Sequence, residues 1–323
     1  MPKADGDIPY PRTMQHDILT TPTPPERVPM VLDTDTANEI DDQFAVVHAL
    51  LSQDRLQLEA IYATLFAREG NTPAEGVAES EAEIHRLLER LSVDPAGRVL
   101  RGADRFLAVD QPTVANAVSD DLIRRALEPR DGRLWVAAIG ALTNIASALN
   151  EAPEIAERIC VAWLGGQAQH AVDAREFNLY QDPIAARAVF DSGAPLVHIP
   201  CYGAASHLLT STAELDAYVR PQGAIGEYLA DIFRDHDPQF PGRSKEIWDL
   251  SATGFLIDDD WVPRRSIQRP TLSDDMRWIL QPDDAALAPF TEAHYVQRDP
   301  IFHDLFTKLA EFHAGEREAG FAV

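Results

Sequence analysis

The sequence predicts an α/β protein with a mostly parallel central sheet, helices on both faces, and a mainly helical C-terminal third. Two observations lead there. Apolar runs of strand length alternate regularly with segments whose apolar residues recur at helical spacing. Those runs are apolar at nearly every position, as in strands covered on both faces, and they stop at glycine or at cap-forming residues.

Taken in order, residues 1–27 carry Pro2, Pro9, Pro11, Pro22, Pro24 and Pro25 and are predicted as an extended arm. Residues 28–323, without repeat or composition break, are predicted as one domain. Val28–Leu32 reads as the opening strand, and Phe44, Val47, Leu50 and Leu51 mark the face of the following helix. Leu56–Thr64 is a second strand. The turn-rich stretch Arg68–Pro73 then precedes a helix over Ala74–Leu91, with Ile84, Leu87, Leu88 and Leu91 on its apolar face. Val99–Arg101 is a short strand, Ile123–Leu127 lies in a helix, and Leu134–Ile139 is a buried strand stopped by Gly140. Thr143 is a candidate N-cap for the helix through Ile145–Leu149. Ile159–Leu164 ends at Gly165-Gly166, Pro183–Phe190 is helical, and Pro195–Pro200 is strand again. Helical pattern dominates from about Thr210, with a mixed stretch around Trp261–Leu272. In such a sheet ligands bind beyond the strands' carboxyl ends, where Asp35, Asn71, Thr143, Gly166 and the loop after Pro200 should converge.

The 52 acidic against 28 basic residues give a net charge of −24, which argues against a nucleic-acid partner and against anionic membranes. No stretch is long and apolar enough to span a bilayer, and residues 1–27 lack the apolar core of a signal peptide, so a cytoplasmic location is expected. Cys160 and Cys201 lie in apolar runs and are read as buried free thiols.

The chemistry is concentrated in Asp33, Asp35, Asp41 and Asp42. Asp33 and Asp35 end a strand and Asp41 and Asp42 open a helix, so four carboxylates share one corner of the fold. Anions so packed repel one another unless a cation or protons neutralise them, and hard oxygen ligands suit Ca²⁺ or Mg²⁺. Helix capping accounts for Asp41 and Asp42 without a metal, but leaves Asp33 and Asp35 without a role.

Asp33–Asp42, Gly140-Ala-Leu-Thr-Asn144, Glu176-Phe-Asn178 and Trp248-Asp249, in this order and at these separations, resemble the nucleoside hydrolase family of the inosine–uridine preferring type. The likeness runs from about Val28 to the Arg298–Phe306 stretch. The resemblance implies a Ca²⁺ enzyme that cleaves the N-glycosidic bond of ribonucleosides, commonly as a homodimer or homotetramer. Asp35 and Asp42 match metal ligands, with Asp35 also the general base. Thr143 would offer its backbone carbonyl to the metal, and Asp249 would close its coordination sphere. Asp41 matches the aspartate that holds ribose hydroxyls, and Asn71, Glu176 and Asn178 match polar groups that grip the sugar. Asp33 would stand behind the ligands.

Three departures from the family pattern bear on the site. Asp35 to Asp41 spans six residues where the family has four, which makes Asn38 and Glu39 candidates to enter the site; outward bulging of the loop is the expectation. Trp248 stands where histidine is frequent in pyrimidine-accepting members, and Trp-Asp resembles a purine-preferring branch whose indole stacks on the base. The competing reading makes Trp248 core. The histidine loop after the third strand and an asparagine after Gly165-Gly166 are missing; Gln167 and His170 stand near the latter, and His170 and His207 are the candidates for a leaving-group acid. His85 is expected to face solvent.

Two other readings compete. Asp33-Thr-Asp-Thr36 after an apolar strand also fits a Mg²⁺-dependent haloacid-dehalogenase-type phosphatase, with Asp33 as nucleophile, Asp35 as acid/base and Asp258–Asp260 as its late acidic pair. That reading leaves Asp41-Asp42 without work, and the only lysines are Lys3, Lys245 and Lys308. The third reading is a nucleoside- or sugar-binding relative without catalysis.

Overall fold

Strands β1 (Val28–Thr34), β2 (Leu56–Ala63), β3 (Val99–Arg101), β4 (Leu134–Ala138), β5 (Ile159–Leu164) and β6 (Leu196–Ile199) pair in parallel in the order β3-β2-β1-β4-β5-β6. This is a computed structural model, and it describes residues 23–171, 173–238, 240–280 and 290–320. Every residue of β4 and β5 is buried, which is why these runs carry no alternation. Pro29 is tolerated in the central β1 because β4 pairs with that strand only from Met30 onward.

The C-terminal third contributes strand as well as helix. A ribbon of β7 (Leu209–Thr210) and β8 (Lys245–Glu246), and another of β10 (Pro270–Leu272) and β11 (Trp278–Leu280), stand apart from the main sheet. Of the two remaining strands, β12 (Phe290–Ala293) adds parallel to β6, and β9 (Arg264–Ser266) closes that edge antiparallel, making eight strands. Strand β12 carries Thr291 and Glu292 at its centre and so lacks the continuous apolar run of β4 and β5.

The helices are α1 (Asp41–Leu51), α2 (Pro73–Arg90), α3 (Ala117–Leu127), α4 (Thr143–Glu151), α5 (Phe177–Gln181), α6 (Pro183–Asp191), α7 (Thr212–Tyr218), α8 (Gly223–His236), α9 (Leu250–Ile257) and α10 (Arg298–Gly320). They fall into two packing groups around the sheet: α1 with α2, α7, α8, α9 and α10, and α3 with α4, α5 and α6. Helix α1 is buried on nearly every side rather than along one stripe, so Ala45, Val46 and Ala49 are core alongside Phe44 and Val47. Its His48 is a structural core residue, bonded to Thr253 Oγ1 (2.9 Å) on α9 and to Asp304 Oδ2 (2.8 Å) on α10. The start of α2 has a capping box between Thr72 and Glu75 with Pro73 at the first helical position.

Of the proline-rich arm, residues 1–22 lie outside the described residues. From Thr23 the chain runs against the body, with Arg55 donating to the carbonyls of Pro25 and Glu26 and Arg264 to Thr23 Oγ1 (3.3 Å).

Helix α2 packs so closely on the segment after β2 that a Cβ at Gly76 would stand 2.0 Å from the Phe66 carbonyl oxygen. Gly76→Ala is therefore expected to cost ~1–3 kcal/mol and lower the melting temperature by several degrees. Gly315→Ala, in α10 with open space around it, should leave it unchanged or higher. Equal melting temperatures for the two variants would contradict this packing.

Candidate active site

The chain leaves β1 towards β2 and β3, then returns on the other side of β1 as β4, so the order reverses at the β1/β4 boundary. At such a switch point the loops diverge and leave a crevice. A cavity of about 410 Å³ opens there, walled by the Asp35–Asp42 loop, Ile139, Leu164, the Glu176–Tyr180 segment, Tyr202 and Trp248-Asp249.

Three of the carboxylates draw together: oxygens of Asp41, Asp42 and Asp249 lie within 4.8 Å of one another. Asp42 is aimed by Thr34, whose Oγ1 donates to its Oδ1 at 2.5 Å. Asp35 lines the same cavity, and its Oδ2 is buried with no hydrogen-bond partner in the protein. Burial, reinforced by the neighbouring carboxylates, holds Asp35, Asp42 and Asp249 well above the usual carboxylate range. Asp41 is pushed up to about 7 by burial and Glu39, against the pull of Lys245. A divalent cation fits this donor set: the oxygens are hard, that of Asp35 is orphaned, and the packed carboxylates call for a positive counter-charge.

Asp33 points elsewhere. It is fully buried, accepts from Asn144 Nδ2 (2.8 Å), and burial raises it to about 7. Asn144 also donates to Thr64 Oγ1 (2.9 Å) and accepts from the Ala103 amide (2.9 Å), so Asp33 ties three strand ends together behind the site. A nucleophile so enclosed cannot meet a phosphate, which removes the phosphatase reading.

Thr143 is not the N-cap; Leu142 occupies that position, and the Thr143 hydroxyl donates to Asp182 Oδ2 (2.8 Å), joining α4 to α6. Glu176 and Asn178 do line the cavity. Glu176 caps α5, accepting from the amides of Asn178 (3.1 Å), Leu179 (3.2 Å) and Gly166 (2.6 Å). These bonds oppose a rise that burial imposes on its carboxyl. Asn178 spends its amide group on the carbonyls of Ile139 and Leu164, both at 3.1 Å. Trp248 is half-buried in the wall, with Tyr202 meeting it edge-on at 5.7 Å.

Other expectations are corrected. Asn71 does not line the cavity; its side chain accepts from the Arg68 amide (2.8 Å) and shapes the turn before α2. His170 is exposed on a turn bordering a neighbouring depression, and His207 is exposed against Tyr295, with ring centroids 4.5 Å apart. Among the described residues no histidine lines the cavity. His85 faces solvent as expected. The longer loop does not bulge away: Asn38 and Glu39 are both in the cavity wall, and Glu39 Oε2 pairs with Lys245 Nζ at 2.5 Å. Sequence reasoning passed over Tyr202, Phe177 and Tyr180, and noted Gln167 only as standing near the place of a missing asparagine; all four line the cavity. Tyr202 had a signal, since it sits on the loop after β6 where the crevice was expected. The other three had none beyond adjacency to Glu176 and Gly166.

A family model described as inosine-uridine preferring nucleoside hydrolase matches residues 30–277. The chain belongs to the nucleoside hydrolase family. As a member it is a ribonucleoside hydrolase, an N-glycosidase, and the family is metal-dependent. Among curated relatives, the pyrimidine-specific ribonucleoside hydrolase RihA of Escherichia coli (strain K12) is 30% identical over 231 residues, 65% of this chain and 72% of that one. The purine-preferring ribonucleoside hydrolase from Gardnerella vaginalis shares the fold at a TM-score of 0.69 and 22% identity, covering 88% of this chain and 98% of its own. An inosine-guanosine nucleoside hydrolase matches equally well, at a TM-score of 0.69 and 17% identity over 89% of this chain and 99% of its own.

A carboxyl with a raised folded pKa holds its proton longer when folded than unfolded. The stability this gives is present below the unfolded value near 4, falls as pH rises, and is gone once pH passes the folded value of about 7 for Asp41. Chelator-treated protein should therefore melt lower at pH 8 than at pH 5.5, by on the order of several degrees. Asp41→Asn should shrink that difference, and Ca²⁺ should raise the melting temperature most at pH 8. A melting temperature that Ca²⁺ leaves unmoved at pH 8 would contradict the assignment of this cluster.

Proposed function

We propose that this nucleoside hydrolase uses Ca²⁺ and prefers purine ribonucleosides. The observation that carries the metal reading is the buried, unpartnered Oδ2 of Asp35 beside the packed carboxylates of Asp41, Asp42 and Asp249. Asp35, Asp42, Asp249 and the Thr143 backbone carbonyl would hold the ion. So many protein oxygens suit Ca²⁺, which takes 6–8 ligands, better than Mg²⁺, which keeps its waters. When bound, the ion would lower the pKa of a water and fix its place.

The chain's own groups do the rest. Asp35 takes the water's proton as attack on C1′ begins. Asp41, which lines the cavity, would accept from the ribose hydroxyls. Glu176, whose carboxylate is held by three backbone amides against the rise that burial imposes, would face the ribosyl group as it gains oxocarbenium character. Asn178, its NH₂ committed to two carbonyls, presents an oxygen held in fixed orientation. A sugar lacking a hydroxyl would leave these buried acceptors unpaired, so deoxynucleosides should be poor substrates.

The purine preference rests on the wall around Trp248. With no histidine lining the cavity among the described residues, departure of the base depends on stacking between aromatic faces, typically worth ~1–3 kcal/mol per base. Trp248, supported edge-on by Tyr202, offers such a face.

Asp35→Asn should cut kcat at least ~10²-fold with the fold retained, measured as reducing-sugar release. Near wild-type turnover would refute Asp35 as the base. Trp248→Ala should slow inosine and guanosine far more than p-nitrophenyl riboside, whose leaving group needs no activation. Equal losses on both, or faster wild-type turnover of uridine than inosine, would refute the stacking role.

A further inference from the structure

The loop between Asp35 and Asp41 holds a strained residue at the edge of the cavity. The Asn38 amide donates to the Asp35 carbonyl at 2.9 Å, closing a turn in which Ala37 has φ of +92°. Turns of this kind ask for glycine at that position, because a side chain with positive φ crowds its own backbone. The alanine persists there only if its surroundings hold it.

They do so through Arg68. Its Nη1 donates to the carbonyl of the strained residue, Ala37, at 3.1 Å and to that of the next, Asn38, at 2.7 Å. Its Nη2 reaches Glu79 at 3.0 Å, and the guanidinium lies 5.0 Å from the centre of the Phe66 ring. The exposed Arg68–Glu79 pair contributes little by itself; it aims the guanidinium. The base of the clamp is also fixed. The Gln181 side chain exchanges two hydrogen bonds with the Ala67 backbone (2.7 and 3.0 Å), and Asn71 receives the Arg68 amide. On the far side Glu39 is pinned by Lys245, four residues before Asp249.

We propose that Arg68 is a positioning residue: it locks the longer loop in its strained turn so that Asn38 forms part of the substrate-facing wall. Asn38 is a specificity contact to the ribonucleoside only while that lock holds. This rests on the cavity being the nucleoside site. Arg68 itself touches no substrate, and the loop it holds is where the chain departs from its family in length.

The test is a cycle of Arg68→Ala, Ala37→Gly and the double variant. Arg68→Ala should raise KM for the ribonucleoside ~10-fold or more, with a smaller change in kcat. Ala37→Gly should behave like wild type. The double variant should recover most of the loss, because glycine takes the positive φ without being held. A KM within twofold of wild type in Arg68→Ala, or a loss that Ala37→Gly leaves uncorrected, would overturn the proposal. Hydrogen exchange of the 36–40 peptide reads the lock without substrate: faster in Arg68→Ala, slowed again in the double variant. Unchanged exchange would overturn it. Wild-type protein inert on every ribonucleoside would instead refute the substrate reading and leave exchange to judge the clamp.

Discussion

The mutual repulsion of carboxylates buried at one strand end is the constraint on which the rest of this site depends. Asp35, Asp41, Asp42 and Asp249 come from three separate places in the chain, yet each is almost inaccessible to water. Left ionised and unpaired, such a cluster would cost far more than a folded protein's margin of stability. The raised pKa values let protons relieve the conflict in the metal-free protein. In the function proposed above, a bound divalent cation would relieve it and at the same time prepare water for attack.

The fold keeps the carboxylates together by spending its other polar groups on position. Asp33, Asn144 and Thr64 knot the ends of β1 and β2 to the start of α4. Thr143 and Asp182 fasten α4 to α6, and Glu176 caps a short helix while facing the cavity. These ties leave the Asp35–Asp41 loop as the adjustable wall, held from one side by Arg68 and from the other by Lys245.

Much of the sheet was legible in the sequence because parallel strands buried on both faces are uniformly apolar. Ile159–Leu164 was read to its ends, and Val28–Leu32 fell two residues short only because β1 continues into polar Asp33 and Thr34. Strand β12, which extends the sheet beside β6, was not legible, since Thr291 and Glu292 at its centre break the apolar run that marked β4 and β5. At the site, residue type and spacing were enough to group Asp35, Asp41 and Asp42, and the family resemblance added Asp249 to them. Asn71 misled because an asparagine before a helix serves a turn as readily as a ligand. The direction of the Thr36–Ile40 loop could not be read at all, because it is decided by Arg68 and Lys245, residues distant in sequence.

The most direct test of the central claim is a crystal structure with Ca²⁺ and anomalous scattering data. One ion is predicted, at about 2.3–2.6 Å from oxygens of Asp35, Asp42, Asp249 and the Thr143 carbonyl. Ordered crystals in which these carboxylates contact no ion, with Ca²⁺ elsewhere or absent at saturating concentration, would contradict it.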